Sequence, residues 1–289
     1  MKRYFNVTGA CYPQKHYMVN LDKRLMQIKV MVDEGDYFVI NRARQFGKTT
    51  TLHALADYLK DDYVVISTSF QALSMAKFQN EYTFSKAFAA MVLETLIVDE
   101  QPIEGIEKKD VMALERAMSE ATDLDMVELF ELLSNLCKNA GKQIVLLIDE
   151  VDSASNNQVF LDFLGLLRDY YLKRERKATF QSVILAGVYD IKNLKQKIRT
   201  EDVHKYNSPW NIAASFDIDM SFSVDEIGDM LRQYEADYHV GMNVNAVAEF
   251  IYAYTSGYPY LVSSICKITH DRMMSSGLET GNIWQNIRS

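Results

Sequence analysis

The chain has 289 residues, of which 48% are hydrophobic and 24% are charged, and its formal net charge at pH 7 is -8. This composition is typical of a globular protein with a sizeable core, and the length suits one large α/β domain and a small second one. The negative charge argues against a nucleic-acid surface over the whole protein, although a local basic patch stays open.

The cysteines and the apolar segments indicate the compartment. Cys11, Cys137 and Cys266 form neither a CxxC pair nor an even disulfide framework, which is typical of a reducing environment. No long apolar segment of a secretory signal follows the N-terminus, and the apolar run 144–148 is too short to span a bilayer. We therefore expect a cytoplasmic protein without a membrane partner.

Short β-type segments alternate with longer helical patterns up to residue 222. The predicted strands are 37–40, 63–68, 143–148, 181–186 and 216–220. The predicted helices are 48–60, 85–98, 108–120, 125–139 and 158–173. This alternation is the signature of βα units, so we expect a three-layer α/β/α fold with a mainly parallel five-stranded sheet.

The pattern changes after residue 222. Ser223-Val-Asp-Glu226 is a capping-box sequence that begins a helix through about Tyr234. Helical patterns follow over 244–254 and 260–274, separated by Ser256-Gly-Tyr-Pro259. We predict an α/β core domain over 1–222 and a small helical lid domain over 223–289.

A candidate phosphate loop, Asn41-Arg-Ala-Arg-Gln-Phe-Gly-Lys-Thr-Thr50, follows the first predicted strand and opens a helix. Gly47, Lys48 and Thr49 match the end of the pattern G-x-x-x-x-G-K-[ST]. Gly47 lets backbone N–H groups approach phosphate oxygens, Lys48 brings a positive charge to the β- and γ-phosphates, and Thr49 offers a hydroxyl to Mg²⁺. The N-terminus of the following helix adds a partial positive charge.

The first glycine position of this pattern is occupied by Arg42. The other candidate nucleotide-binding residues of the loop are Arg44, Gln45, Phe46 and Thr50, and both arginines could face phosphates. Short motifs recur by chance, so an accidental turn before a surface helix is the alternative. The strand–loop–helix context favours a phosphate loop.

An acidic pair follows the third predicted strand. Five apolar residues, 144–148, are followed by Asp149 and Glu150, which describes a strand buried on both faces with acids at its carboxyl end. In a P-loop enzyme Asp149 would bind Mg²⁺ through water, and Glu150 would polarise the attacking water as a general base. Alone, this pattern equally fits a strand that ends in a solvated turn. Together, the two motifs predict a site for a nucleotide and Mg²⁺.

Two candidate segments lie at the end of the fourth predicted strand and directly after it. Ala186-Gly-Val-Tyr-Asp190 ends that strand, and Tyr189 or Asp190 is a candidate γ-phosphate sensor, with a plain turn as the alternative. The basic run after it contains Lys192, Lys195, Lys197, Arg199 and Lys205. Arg199 is a candidate arginine finger toward a neighbouring subunit, whereas most such runs are solvated surfaces and a nucleic-acid contact is a third interpretation. The run 173–177 has the same alternatives, and neither run has interleaved aromatic residues.

The lead-in segment 1–36 precedes the first strand and is expected to lie near the nucleotide. Its residues His16 and Tyr17 are candidates to flank an adenine ring. Ordinary packing is the alternative for both side chains.

Three segments together resemble the bacterial AAA-like ATPase-domain family, which is related to the origin-recognition and STAND-type branch of P-loop ATPases. They are the loop 41–50, Leu147-Ile-Asp-Glu-Val-Asp152 and Thr255-Ser-Gly-Tyr-Pro-Tyr260. The similarity extends from about residue 2 to residue 272. A missing first glycine in the phosphate loop is usual in this family.

The resemblance implies a sheet in which the phosphate-loop strand is central and neighbours the fourth strand. It also implies a helical lid whose Gly-Tyr-Pro turn, with Pro259, closes over adenine. By motif match, Lys48 and Thr49 take phosphate and magnesium, Asp149 takes magnesium, and Glu150 activates water.

The sequence thus predicts an ATP-binding, Mg-dependent ATPase that works as a conformational switch in the bacterial cytoplasm, with ATP and ADP as ligands. The choice of ATP over GTP as the ligand rests on the resemblance. A second copy of the chain or another protein is a candidate partner. One alternative is a nucleotide-stabilised regulatory or scaffold module with negligible hydrolysis. Another is an ATPase coupled to nucleic acid, which the net charge does not support.

Overall fold

The computed structural model describes residues 2–120, 123–155, 157–188 and 210–276, together with Trp284. Its strands are β1 (Tyr37–Asn41), β2 (Val64–Ser69), β3 (Ile97–Val98), β4 (Gln101–Pro102), β5 (Ile144–Asp149) and β6 (Ser182–Gly187). The main sheet is parallel and has the strand order β1-β6-β5-β2, whereas β3 and β4 form a short antiparallel pair. The predicted α/β fold with a mainly parallel sheet is confirmed.

Among the described residues, nine α-helices precede, connect or follow these strands. They are α1 (Asp22–Asp33), α2 (Lys48–Leu59), α3 (Glu81–Leu96), α4 (Lys108–Glu120), α5 (Met126–Asn139), α6 (Gln158–Leu172), α7 (Val224–Tyr238), α8 (Val244–Thr255) and α9 (Pro259–Ser276). Short 3-10 helices cover Phe70–Ala72, Met75–Phe78 and Val151–Ala154. Within the described residues, no helix combines the length and the apolar character that a membrane-spanning segment needs.

Side-chain caps determine where several helices begin. Asn80 accepts a hydrogen bond from the Thr83 N–H at 2.9 Å, so α3 begins at Glu81 rather than at the predicted residue 85. The predicted capping box is confirmed. The Glu226 N–H donates to Ser223 Oγ at 3.2 Å, and the Ser223 N–H donates to Glu226 Oε2 at 2.7 Å.

Both faces of the parallel sheet are buried. On one face, alternate strand residues such as Val39, Leu146 and Leu185 share a hydrophobic core with α3, α4, α5 and α6. On the other face, Phe38 and Leu147 are also fully buried. Burial on both sides explains why the strands appear as continuous apolar runs in the sequence.

The fifth predicted strand, 216–220, is wrong. In the described part of the chain this side of β1 has one isolated bridge, between Phe38 and Ala214. The carbonyl of Phe216 accepts a hydrogen bond from Arg42 at 3.2 Å, and that of Asp219 accepts one from Arg24 at 3.1 Å. The carbonyls of Phe216 and Asp219 thus bond to arginine side chains and not to a strand. β1 pairs with β6 as expected, but it lies at an edge of the described sheet and not at its centre.

The chain divides into two compact units. One comprises residues 1–27, 44–54 and 218–289, and the other comprises residues 28–43 and 55–217. In the first unit, residues of the N-terminal segment such as Phe5, Tyr17 and Val19 join a hydrophobic cluster with α7, α8 and α9. These units combine distant segments, and a domain boundary at residue 222 stays a prediction.

The turn between α8 and α9 depends on a glycine. Gly257 has φ +74°, and its carbonyl accepts a hydrogen bond from the Phe222 N–H at 2.8 Å. A Cβ at this position would lie 2.0 Å from the Phe222 carbonyl oxygen. Both the backbone conformation and the close approach therefore require glycine.

We expect Gly257→Ala to lower the free energy of unfolding by about 2 to 4 kcal/mol, because left-handed strain and overpacking add. Urea unfolding followed by circular dichroism measures this change. Gly165→Ala in α6 is the matched control, because its Cβ would meet nothing within 4 Å and alanine stabilises a helix by up to about 1 kcal/mol. Equal stability of the Gly257→Ala variant and the wild type would contradict the requirement for glycine in this turn.

Candidate nucleotide-binding site

The loop that follows β1 has the backbone of a strand-to-helix turn. The Arg42 N–H donates to the Gly187 carbonyl at 3.2 Å, which extends the pairing of β1 with β6 by one residue. Gly47 has φ +80°, and the Thr51 N–H donates to its carbonyl at 2.9 Å as α2 begins. The first N–H groups of a helix have no acceptor inside the helix, so this turn is suited to an anion.

The side chains at the start of α2 differ in exposure. Lys48 is buried, with 7% of its surface exposed, whereas Thr49 is half-buried. The Thr50 hydroxyl oxygen accepts a hydrogen bond from the Cys11 N–H at 3.0 Å. Thr50 thus attaches the N-terminal segment to the first turn of the helix.

Arg42 and Gln45 show why the loop tolerates a non-glycine at its first position. Arg42 is not among the residues with positive φ, so no glycine is required there, and the left-handed residue is Gln45 with φ 59°. The Arg42 guanidinium donates to the Phe216 carbonyl and lies 5.2 Å from the centre of the Phe216 ring. The described contacts of Arg42 therefore connect the loop to the segment around Phe216.

The turn between α8 and α9 contacts the phosphate loop. Tyr258 donates its hydroxyl hydrogen to the Arg44 carbonyl, and its ring meets the Phe46 ring edge-on with the centres 4.9 Å apart. Pro259 is buried and begins α9. Tyr258 and Arg44 are 214 residues apart, so no local pattern could reveal this contact.

The acidic pair lies at the carboxyl end of β5, as predicted. Asp149 is buried, with 6% of its surface exposed, and accepts a hydrogen bond from the Glu150 N–H at 2.8 Å. Glu150 has a left-handed backbone, with φ 54° and ψ 39°. A left-handed conformation of a residue other than glycine is costly, and such residues cluster at functional sites.

The acidic turn is bonded to the strands on both sides of β5. Asp152 Oδ2 accepts a hydrogen bond from the Val188 N–H at 2.6 Å, directly after β6. Ser153 donates from its hydroxyl to the Phe70 carbonyl at 3.1 Å, directly after β2. Neither residue was predicted as part of the site, although Asp152 ends the motif 147–152. These bonds hold the turn that carries Glu150.

Parallel pairing brings the end of β1, where the phosphate loop starts, to the edge of the sheet where β5 ends. Only β6 lies between these strands, so their ends are separated by two strand spacings, or about 10 Å. Ligands of open α/β sheets bind outside the carboxyl ends of the strands. This edge is therefore the candidate site.

The predicted adenine contacts His16 and Tyr17 are both buried. His16 accepts a hydrogen bond at Nδ1 from the Tyr12 N–H at 2.9 Å. Tyr17 donates its hydroxyl hydrogen to Asp237 at 2.9 Å, and its ring centre lies 4.8 Å from that of Phe5. These contacts agree with the packing alternative, and an adenine contact stays a prediction for both.

Several candidates lie outside the described residues. They are Tyr189, Asp190 and the basic run from Lys192 to Lys205, including Arg199. In the run 173–177, Lys173 pairs with Asp169, Arg174 donates to the Gly35 carbonyl, and Lys177 pairs with Glu131. These three side chains bond to groups of the protein itself, and a role of this run toward a ligand or partner stays a prediction.

No group of three or more His, Cys, Asp or Glu side chains in the described part of the chain is arranged to hold a metal ion. A nucleotide-bound Mg²⁺ needs no such group, because it uses one or two protein oxygens, water and phosphates. The carboxylate of Asp149 and the hydroxyl of Thr49 are oxygen donors of this type. Each of these two side chains, taken by itself, has the oxygen chemistry that suits magnesium.

A parallel α/β sheet with a phosphate loop after β1 and an acidic pair after β5 defines the class of P-loop nucleotide-binding proteins. The sequence matches the profile of the AAA-like domain over residues 14–281. The chain therefore belongs to the AAA-like domain family, which confirms the resemblance.

Solved structures show the same fold. The Walker-type ATPase of Pyrococcus abyssi is 13% identical, with a TM-score of 0.57, over 98% of this chain and 74% of that one. Cdc6p of Pyrobaculum aerophilum is 14% identical, with a TM-score of 0.50, over 94% of this chain and 66% of that one. No curated protein matches the sequence.

Burial, with a smaller effect of Lys15, lowers the pKa of His16 in the folded protein. The unfolded state therefore binds more protons as pH falls below the ordinary histidine pKa of about 6.5, and stability falls with it. We expect the free energy of unfolding, measured in urea at pH 7.5 and pH 5.5, to decrease more in the wild type than in His16→Gln.

A non-titrating residue close to His16 supplies the control for this comparison. Gln14→Ala, at an exposed position, should keep the pH dependence of the wild type. Equal pH dependence in the wild type and His16→Gln would contradict the role of His16.

Proposed function

We propose that the protein is a Mg-dependent ATPase that acts as a conformational switch in the bacterial cytoplasm. One observation carries this proposal: the strand that leads into the phosphate loop and the strand that ends at Asp149 finish at the same edge of a parallel sheet, on either side of β6. Membership of the AAA-like domain family supports it. Its ligands are ATP and ADP.

Binding rests on the loop and on the start of α2. The backbone N–H groups around Gly47 and the ammonium group of Lys48 bind the β- and γ-phosphates. Because Lys48 is almost entirely buried, its charge acts at a lower effective dielectric than that of an exposed lysine. Thr49 and Asp149 would hold Mg²⁺, and the ion would supply positive charge beside the phosphates.

Hydrolysis rests on Glu150. Its carboxylate takes a proton from water as the water oxygen bonds to the γ-phosphorus, and the bond to the β–γ bridging oxygen breaks to leave ADP. Hydrogen bonds of Asp152 and Ser153 hold the turn on both sides of β5, and a fixed base lowers the cost of reaching the transition state.

The roles of Pro259 and of the helical lid follow from the family resemblance, and the other roles rest on sequence position. Pro259 and the lead-in segment with His16 and Tyr17 lie toward adenine, and Arg44, Gln45 and Phe46 shape the loop. Tyr189 or Asp190 is the proposed γ-phosphate sensor and Arg199 the proposed arginine finger toward a second copy, and all three lie outside the described residues. Helices α7 to α9 form the lid, whose closure excludes water and signals the bound nucleotide to a protein partner.

We expect Lys48→Ala to weaken Mg-ATP binding at least about tenfold, because a hydrogen bond to a charged group contributes about 1.5 to 3 kcal/mol. Isothermal titration calorimetry measures the affinity. Lys60→Ala, at an exposed lysine just after α2, is the matched control and should bind ATP like the wild type. Unchanged ATP affinity in Lys48→Ala would exclude this phosphate site.

We expect Glu150→Gln to reduce ATP turnover by about 10²- to 10⁴-fold without a comparable loss of ATP affinity, because a general base contributes on this scale. Release of inorganic phosphate measures turnover, and Glu34→Gln, at an exposed position, is the control. If the wild type hydrolyses ATP no faster than Glu150→Gln, the enzyme proposal fails. The protein would then be a nucleotide-stabilised regulatory module.

A further inference from the structure

Tyr258 contacts the phosphate loop on both sides of its left-handed residue. Its hydroxyl donates to the carbonyl of Arg44, which precedes Gln45, and its ring lies edge-on against Phe46, which follows it. The two ring planes are at 80°. The loop is thus held at the point where Gln45, with φ 59°, reverses its direction.

The hydroxyl contact determines which way one peptide group faces. The bond between Arg44 and Gln45 is trans and planar, so its C=O and its N–H point in opposite directions. Because the carbonyl oxygen of Arg44 faces Tyr258, the Gln45 N–H faces the other way. A phosphate loop binds anions through such N–H groups, whereas a flipped peptide would present a carbonyl oxygen that repels them.

The turn that carries Tyr258 is itself anchored. The Gly257 N–H donates to Thr255 Oγ1 at 3.2 Å, and its carbonyl accepts from the Phe222 N–H, which leads into α7. Tyr258 therefore connects the orientation of a loop peptide to the segment that begins the C-terminal helices.

We propose that Tyr258 is a positioning residue for the phosphate loop, which holds the Arg44–Gln45 peptide with its N–H available to a nucleotide phosphate and couples phosphate binding to the turn between α8 and α9. This inference rests on the proposed ATP binding. Coupling is reciprocal, so a bound phosphate stabilises the contact of Tyr258 with the loop and thereby stabilises the turn.

The first test is the affinity for Mg-ATP of Tyr258→Phe, measured by titration calorimetry. Phenylalanine keeps the ring against Phe46 and removes only the hydroxyl, so we expect binding about 2- to 12-fold weaker, the value of one hydrogen bond. Tyr254→Phe is the matched control, because Tyr254 lies nearby in α8 with 72% of its surface exposed. It should bind like the wild type.

Amide hydrogen exchange provides a readout that a merely structural role would not change. In the wild type, Mg-ATP should slow exchange at the Phe222 and Gly257 amides, and in Tyr258→Phe this protection should be largely lost. Phe46→Leu, which removes the ring contact and keeps the hydroxyl, should weaken ATP binding as well. Because Tyr258→Phe and Phe46→Leu are both measured, the test stays valid if one of the two variants does not fold.

The outcomes separate the two proposals. If the wild type binds Mg-ATP and Tyr258→Phe binds it equally well with the same amide protection, the positioning role is overturned and the proposed function stands. If the wild type binds no nucleotide, both fall. Weaker binding together with lost protection at Phe222 and Gly257 supports the coupling.

Discussion

Parallel strand pairing determines where the candidate site residues of this protein lie. Because β1, β6, β5 and β2 run in the same direction, the phosphate loop, Val188, the acidic turn and the segment after Ser69 all leave the sheet at one edge. The central strands β5 and β6 are apolar along most of their length, so their polar groups are concentrated where the strands end. Asp152, which accepts from the Val188 N–H, and Ser153, which donates to the Phe70 carbonyl, then join the acidic turn to the neighbouring strand ends. The sheet determines the direction in which these segments leave it, and the hydrogen bonds hold the acidic turn after β5 in place.

The phosphate loop and the first turn of α2 are each bonded to a segment that is distant in sequence. Cys11 donates its N–H to Thr50, and Tyr258 donates its hydroxyl to the Arg44 carbonyl. Both contacts belong to the compact unit that also contains α7, α8 and α9. Direct contacts therefore connect the phosphate loop and the start of α2 to the N-terminal segment and to the C-terminal helices.

Local sequence patterns predicted the regular elements well. Helix α4 occupies the predicted residues 108–120, and the capping box at Ser223 is present, because helical periodicity and caps are local signals. Residues 216–220 misled the prediction, since arginine side chains satisfy carbonyls that a strand would pair. Helix α1 was missed, although Leu25, Ile28 and Val32 have helical spacing and are buried.

The candidate site was predictable only in part. Gly47, Lys48, Asp149 and Glu150 follow from motifs, because each chemical task there requires a specific residue type. The contact between Tyr258 and Arg44 does not follow from any motif, because the two residues are far apart in sequence and meet only after folding. The left-handed backbone of Glu150 could not be predicted either, because residues other than glycine usually avoid this conformation.

The proposed mechanism requires one anion-binding loop that acts together with a divalent ion. A thermal-shift panel of ATP, ADP, GTP and GDP, each with and without Mg²⁺, tests this most directly. A ligand that binds only the folded state at a hundredfold excess over its Kd stabilises it by about 2.7 kcal/mol. We predict that ATP and ADP raise the melting temperature and that Mg²⁺ increases the effect of ATP. If none of the four nucleotides shifts the melting temperature under either condition, the central claim is contradicted.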